Sequence, residues 1–166
     1  MGAYIASNNG QTIQWMDPVP DTLPTGAVNM GGDLPTSAQL AAVFPGYAAA
    51  IAEQQAQTTA MAAYNAAIAA GCQIVSTGTP ALNGTYALDA QSISDVMSEV
   101  QFIGAFSEFS NMASTLVWPV VGGAVTFPST AAAMSVFKSL AQYVTAWKQF
   151  SAGVTTTQPT QPVTIA

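Results

Sequence analysis

Residues Trp118–Pro128 read WPVVGGAVTFP, and the reading of this stretch decides the fold. Two apolar runs face each other across Gly122-Gly123, and Ser129-Thr130 then open an apolar helix. Glycines at such a tip supply the positive φ angles that tight turns need. The stretch predicts a hairpin, Thr115 to Val121 and Ala124 to Phe127, that feeds directly into a helix. Pro119 has no N–H for a ladder, so it places the first run at an edge or forces a bulge. Trp118 is expected to pack on the helices.

Towards the C-terminus, Ser129 or Thr130 caps a helix that runs to about Ser151. Val136, Phe137, Leu140, Tyr143, Val144, Trp147 and Phe150 give it a wide apolar face. Lys138, Gln142, Thr145, Lys148 and Gln149 take the other side, with Lys148 in the last turn, where the helix dipole favours a cation. The remainder, GVTTTQPTQPVTIA (Gly153–Ala166), is expected to be an extended tail that Val163 and Ile165 could anchor.

Towards the N-terminus, Asp89 caps a second helix, from Ala90 to about Asn111. Ser92-x-x-Asp95 resembles a capping box with Asp in place of Glu. Ile93, Val96, Met97, Val100, Ile103 and Phe106 recur at helical spacing, and Phe102, Phe109 and Met112 make a second apolar stripe. A helix apolar on two sides must be covered on two sides, one by the sheet and the other by the long helix or a partner. Upstream, Gln73–Ser76 and Leu82–Leu88 read as short strands, with turn signals at Thr77–Pro80 and at Asn83-Gly84.

Residues 36–70 read as helix. Thr36 or Ser37 caps a short first piece, Pro45-Gly46 breaks it, and the alanine-rich second piece, Tyr47 to Ala70, ends at Gly71. Read in heptads, Tyr47, Gln54, Met61 and Ile68 share one position, and Ile51, Thr58 and Asn65 share the other. A small, partly polar seam of this kind fits a bundle of sister helices, a trimer among the options, with the polar residues fixing register. It also fits packing on the chain's own sheet.

Residues 1–35 carry Pro18, Pro20, Pro24 and Pro35, which forbid a helix. Apolar residues punctuate the segment, among them Tyr4, Ile5, Ile13, Trp15 and Leu23. These are the anchors expected of an extended arm that docks on a partner, or of one that wraps its own domain.

The expected fold class is therefore α+β. A long alanine-rich helix precedes a small antiparallel sheet of two hairpins packed with two helices, and extended arms lie at both ends. The expected organisation is a docking arm (1–35), a helical oligomerisation or connector segment (36–71), a small α+β domain (72–152) and an extended tail (153–166).

Composition narrows the function. Only 6% of the 166 residues are charged, giving a net charge of -6, against about 25% in ordinary soluble proteins. One reading is that companion subunits cover much of the surface; an extracellular or acid-adapted protein is the other. Two lysines and no arginine cannot neutralise a row of phosphates, so nucleic acid is not an expected partner. Mean hydropathy is +0.34. The longest apolar candidate, Ala38 to Ala70, is nevertheless broken by Pro45-Gly46 and studded with Glu and Gln, so no membrane span is expected. The opening residues lack the basic start and apolar core of a secretory leader.

Histidine is absent, which excludes a Ser-His-Asp triad, a Cys-His pair and the usual zinc sites. No phosphate-binding glycine motif is present. Asp95 and Glu99 lie four residues apart on one helix face, the spacing of a solvated stripe. With Ser92 they could hold calcium, but no loop of repeated oxygen ligands accompanies them. Cys72, alone, reads as a small buried hydrophobe. No catalytic residue, metal or cofactor is expected.

From about Leu82 to Phe150 the chain resembles an uncharacterised domain family found in bacteriophage tail and tail-fibre-associated proteins. The resemblance rests on TYALD (Thr85–Asp89), the helix after it, LVWPVVGGAVTF (Leu116–Phe127) and SVFKSLAQYVTAWKQF (Ser135–Phe150). Its motif residues here are Tyr86, Asp89, Trp118, Gly122, Gly123 and Trp147. The chain departs from the pattern in its few charges and in having no arginine near the Tyr-x-x-Asp element. The resemblance implies a structural component of a phage virion (tail, fibre or spike), assembled in the bacterial cytoplasm with copies of itself and other virion proteins. A tail-fibre assembly chaperone is one alternative. A secreted carbohydrate-binding module that uses Trp15, Trp118 or Trp147 as a sugar platform is another.

Overall fold

The computed structural model describes residues 2–166. They form two compact units, one ending at Thr58 and the other beginning at Thr59. The fold class is α+β, with small sheets and helices, as the hydrophobic patterning predicts.

In the first unit, β1 (Ala3–Ser7), β2 (Thr12–Met16) and β3 (Val28–Gly31) form an antiparallel sheet in the order β2-β1-β3. This corrects the expectation of an extended arm over residues 1–35. The cause is local: Asn8, Asn9 and Gly10 all take positive φ (52°, 53° and 79°) and turn the chain back on itself. Asn and Gly tolerate that region best. A Cβ on Gly10 would also lie 2.9 Å from the Tyr47 ring, so the turn needs glycine for space as well as for φ. Helix α1 (Ser37–Val43) starts at a capping box: the Gln39 N–H donates to Thr36 Oγ1 (3.3 Å) and the Thr36 N–H to Gln39 Oε1 (2.8 Å). Ala6, Leu40 and Phe44 form the buried cluster, with Val28, Met30 and Tyr47 against it.

Helix α2 (Tyr47–Ala70) contains the boundary between the units and ends at Gly71, at φ +80°. In the second unit, β4 (Cys72–Ser76), β5 (Gly84–Tyr86) and β8 (Val163–Ile165) make a sheet in the order β5-β4-β8. The β4–β8 pairing is parallel, so the tail ends as a strand docked on β4. Gln161 holds it there: its amide donates to the Gly71 carbonyl (2.9 Å) and to the Tyr143 hydroxyl, and its oxygen accepts from the Gln73 N–H (3.0 Å). Ile165 is buried and Val163 is half-buried. Asn83-Gly84 is not a hairpin tip. Residues Pro80–Leu82 form a 3-10 turn, and Asn83 Oδ1 instead accepts the Ser76 N–H at 2.7 Å.

Helix α3 (Ala90–Phe106) stops short of the expected Asn111, because Ser107 turns left-handed at φ 58°. The hairpin β6 (Leu116–Val120) and β7 (Gly123–Phe127) follows, in the register Trp118↔Val125 and Pro119↔Ala124. Its strands form a two-stranded ribbon, which leaves Pro119 on an edge as expected. The Val121 N–H donates to the Thr85 carbonyl (2.8 Å) and ties the ribbon to β5. Ser129 then caps α4 (Thr130–Ser151) through the Ala132 N–H. The face expected to be apolar supplies the core: Val136, Phe137, Leu140, Tyr143 and Trp147 are buried with Ile74, Tyr86 and Phe127.

Candidate assembly surface

Alanine-rich helices are intrinsically stable but bury little area. Along its 24 residues α2 has no buried side chain. The two ends of the predicted seam are nevertheless occupied by the chain itself. Tyr47 packs on the first unit's cluster and sets its hydroxyl 3.5 Å from Ser37 Oγ. Ile68 packs with Ala63, Tyr64 and Ala67 on the second unit's core. Between them Ile51 is half-buried, and Gln54, Thr58, Met61 and Asn65 are exposed. The Thr58 hydroxyl donates back to the Gln54 carbonyl (2.9 Å), so it is already satisfied within the helix. Two apolar residues, Ile51 and Met61, are too few for a sustained heptad seam. The uncovered middle of α2 is a narrow stripe with one charge, Glu53.

The other expected contact residues divide. Ile5 is buried, Tyr4 and Leu23 are half-buried, and Ile13 and Trp15 are exposed. Tyr4 and Trp15 are cross-strand partners with ring centroids 4.9 Å apart in an edge-on arrangement. Trp15 keeps 48% of its surface exposed.

The residues that carry the resemblance have structural tasks. Tyr86 is buried and its hydroxyl donates to the Leu82 carbonyl (2.9 Å). Asp89 caps α3, accepting from the N–H groups of Gln91 and Ser92 (both 3.0 Å). Trp118 is half-buried, 4.9 Å from the Phe137 ring. Gly122 sits at the ribbon's turn with φ 83°, beside Gly123. Trp147 is buried among Tyr143 and Phe150.

Sequence reasoning missed the groove between α3 and α4. It has a volume of about 760 Å3 and is walled by Val96, Met97, Val100, Met134 and Phe137, with Lys138 at its margin. Met97 is 58% exposed. The signal lay in the first apolar stripe of α3: Val96, Val100 and Ile103 pack into the core, while Met97 on the same stripe stays exposed at the groove. Helix α4 carries both lysines of the molecule and no carboxylate, whereas every other segment is neutral or acidic. Lys138 makes no ion pair among the described residues.

A second, smaller cavity of about 450 Å3 lies beside Asp95, Glu99, Phe102 and Trp118. Glu99, buried, spends its carboxylate on the N–H (3.0 Å) and hydroxyl of Ser110. Among the described residues no group of three or more His, Cys, Asp or Glu is placed to hold a metal. No helix among them is long and apolar enough to cross a membrane. Burial pushes the Cys72 thiol up to about 12, and only the thiolate is nucleophilic.

No protein-family model, curated protein or solved structure matches the chain.

Proposed function

We propose that this chain is a non-enzymatic structural component of a bacteriophage virion, in or near the tail, a fibre or a spike. It acts by assembling with copies of itself and with other virion proteins. The observation that carries the reading is α2: a 24-residue helix with no buried side chain and a single charge. A helix in water without a charged coat gains from being covered. The uncovered groove on α3 and α4 supports the same reading. So does the resemblance of residues 82–150 to the tail-associated family. The arms no longer support it, because both ends of the chain fold within their own units.

Mass spectrometry of purified phage particles from the host that carries this sequence tests the proposal. The chain is expected at a fixed ratio to the tail proteins. Its presence during assembly but absence from finished particles would mean a chaperone.

One observation favours a second reading. The exposed Trp15, edge-on to Tyr4, offers an aromatic face of the kind that stacks on sugars. Glycan-array binding that is lost in Trp15→Ala would make the chain a carbohydrate-binding module. Trp147, being buried, cannot serve as such a platform.

A further inference from the structure

Two surfaces of this chain lack a cover, and they complement each other. One is the stripe Glu53, Gln57 and Met61 on α2, three exposed residues spaced four apart, of which Glu53 and Gln57 also wall an open polar cleft with Asn8, Gln11 and Thr12. The other is the α3/α4 groove, apolar and bordered by Lys138. We infer that the groove of one copy receives the α2 stripe of the next, with Glu53 against Lys138, Gln57 beside Met134 and Met61 at the Ala131 end. This rests on the proposed assembly role and names its contact.

Dimensions and charge argue for this occupant. Glu53 and Met61 are eight residues apart, about 12 Å along a helix at 1.5 Å per residue. The groove runs along α4 from Ala131 to Ala141, about 15 Å by the same rise. With Glu53 at Lys138, Met61 falls towards Ala131, so the incoming helix lies antiparallel to α4. Glu53 is the only charge on α2, and the first unit carries Asp17, Asp21, Asp33 and Glu53 with no cation. Of the groove's two walls, α4 carries both lysines and α3 carries Asp95 and Glu99, the latter turned to Ser110. Methionines line it on two sides, and their flexible side chains adapt to an inserted residue. A helix laid in an apolar groove is a recurrent recognition mode.

The contact is heterologous: each copy gives one stripe and receives one. Such contacts propagate into rings or filaments instead of closing as a dimer. It also explains why α2 lacks a full heptad seam: its partner is a groove and not a sister helix.

Sedimentation velocity of the full chain over a range of concentrations, at low and high salt, tests the contact with two charge reversals, Lys138→Glu and Glu53→Lys. Both sites are on the surface, and circular dichroism checks that the fold is kept. Each variant alone should need about tenfold more protein to associate, because like charges then face each other. An equimolar mixture of the two should recover association. In the mixture, the α2 stripe of Lys138→Glu fits the groove of Glu53→Lys, and the reverse pair is attractive too. The double variant should also associate. If wild type associates and the single variants do so equally well, or if the mixture stays dissociated, the groove contact is wrong while the assembly role survives. A wild type that is monomeric at every concentration contradicts both. A monomeric chain that takes up dodecanoate in the groove assigns that groove to a small amphiphile and overturns the contact.

Discussion

Glu99 on α3 and Ser110 in the following loop are joined twice. The Ser110 N–H donates to one carboxylate oxygen (3.0 Å) and its hydroxyl to the other. The carboxylate is buried, and Phe109, next to Ser110, is buried beside it. This clamp sets the course of the chain from the left-handed Ser107 to the start of β6. Ser110→Ala leaves one carboxylate oxygen without its partner. The expected loss is about 1.5–3 kcal/mol, the range for hydrogen bonds to charged groups. Urea unfolding of the variant against wild type measures it; no loss would mean that the clamp is not formed.

Gly71 makes a second prediction. Its φ is +80°, and a Cβ there would lie 2.6 Å from the Tyr86 carbonyl oxygen, which is backbone and cannot move aside cheaply. Gly71→Ala should therefore destabilise the second unit by about 1–3 kcal/mol, from backbone strain alone. Thermal unfolding reads this as a lowered Tm. An unchanged Tm would contradict the helix-to-strand geometry at this point.

Alkali should weaken the second unit. Burial raises the Cys72 thiol from 9.0 to about 12 and the Tyr86 phenol from 10.0 to about 12. Both values are higher folded than unfolded. The protonated, folded form is therefore fully favoured below the unfolded values, and stability falls as pH rises from about 9 towards 12. Urea midpoints measured from pH 8 to pH 12 should decline, and Tyr86→Phe should flatten the decline above pH 10. The same burial predicts that Cys72 reacts with a disulfide reagent only as the chain unfolds.

Asp89 gives the opposite sign. The Ser92 hydroxyl and then the backbone N–H groups of Ser92 and Gln91 hold its carboxyl below the ordinary carboxylate range. A group lowered in the folded state stabilises above its unfolded pKa, and that contribution is lost as pH falls through the folded one. The start of α3 should therefore fray on acidification. Asp89→Asn keeps a capping oxygen without the titration. Amide exchange of residues 90–93 should rise at acid pH in wild type, after correction for intrinsic rates, and stay level in the variant.

Much of the second unit was legible in the sequence, because its signals are local. The glycine pair marks the turn to within one residue, the tip being Val121-Gly122 with Gly123 already paired to Val120, Asp89 and Ser129 mark the caps, and the apolar spacing of α4 marks its buried face. The N-terminal sheet was not read, since prolines between β2 and β3 look like a linker. The Asn8-Asn9-Gly10 turn and the alternation in Thr12–Met16 were the available signals. The docking of β8 depends on Gln161 meeting Gly71 and Tyr143, contacts across 90 and 18 residues that no local pattern announces. The groove escaped notice for a related reason. Spacing puts Met97 on one stripe with Val96 and Val100, but only packing shows that the Met97 edge of that stripe stays bare. Of the α2 heptad residues, Tyr47 and Ile68 serve the chain's own clusters, a use that the spacing left open.

The most direct measurement is amide hydrogen exchange across residues 52–62 of α2 as protein concentration is raised. These amides belong to a helix with no cover of its own. If another copy covers it, their protection should grow with concentration, together with that of residues 131–141 in the groove. Identical exchange at all concentrations, in a chain that stays monomeric, would contradict assembly through α2.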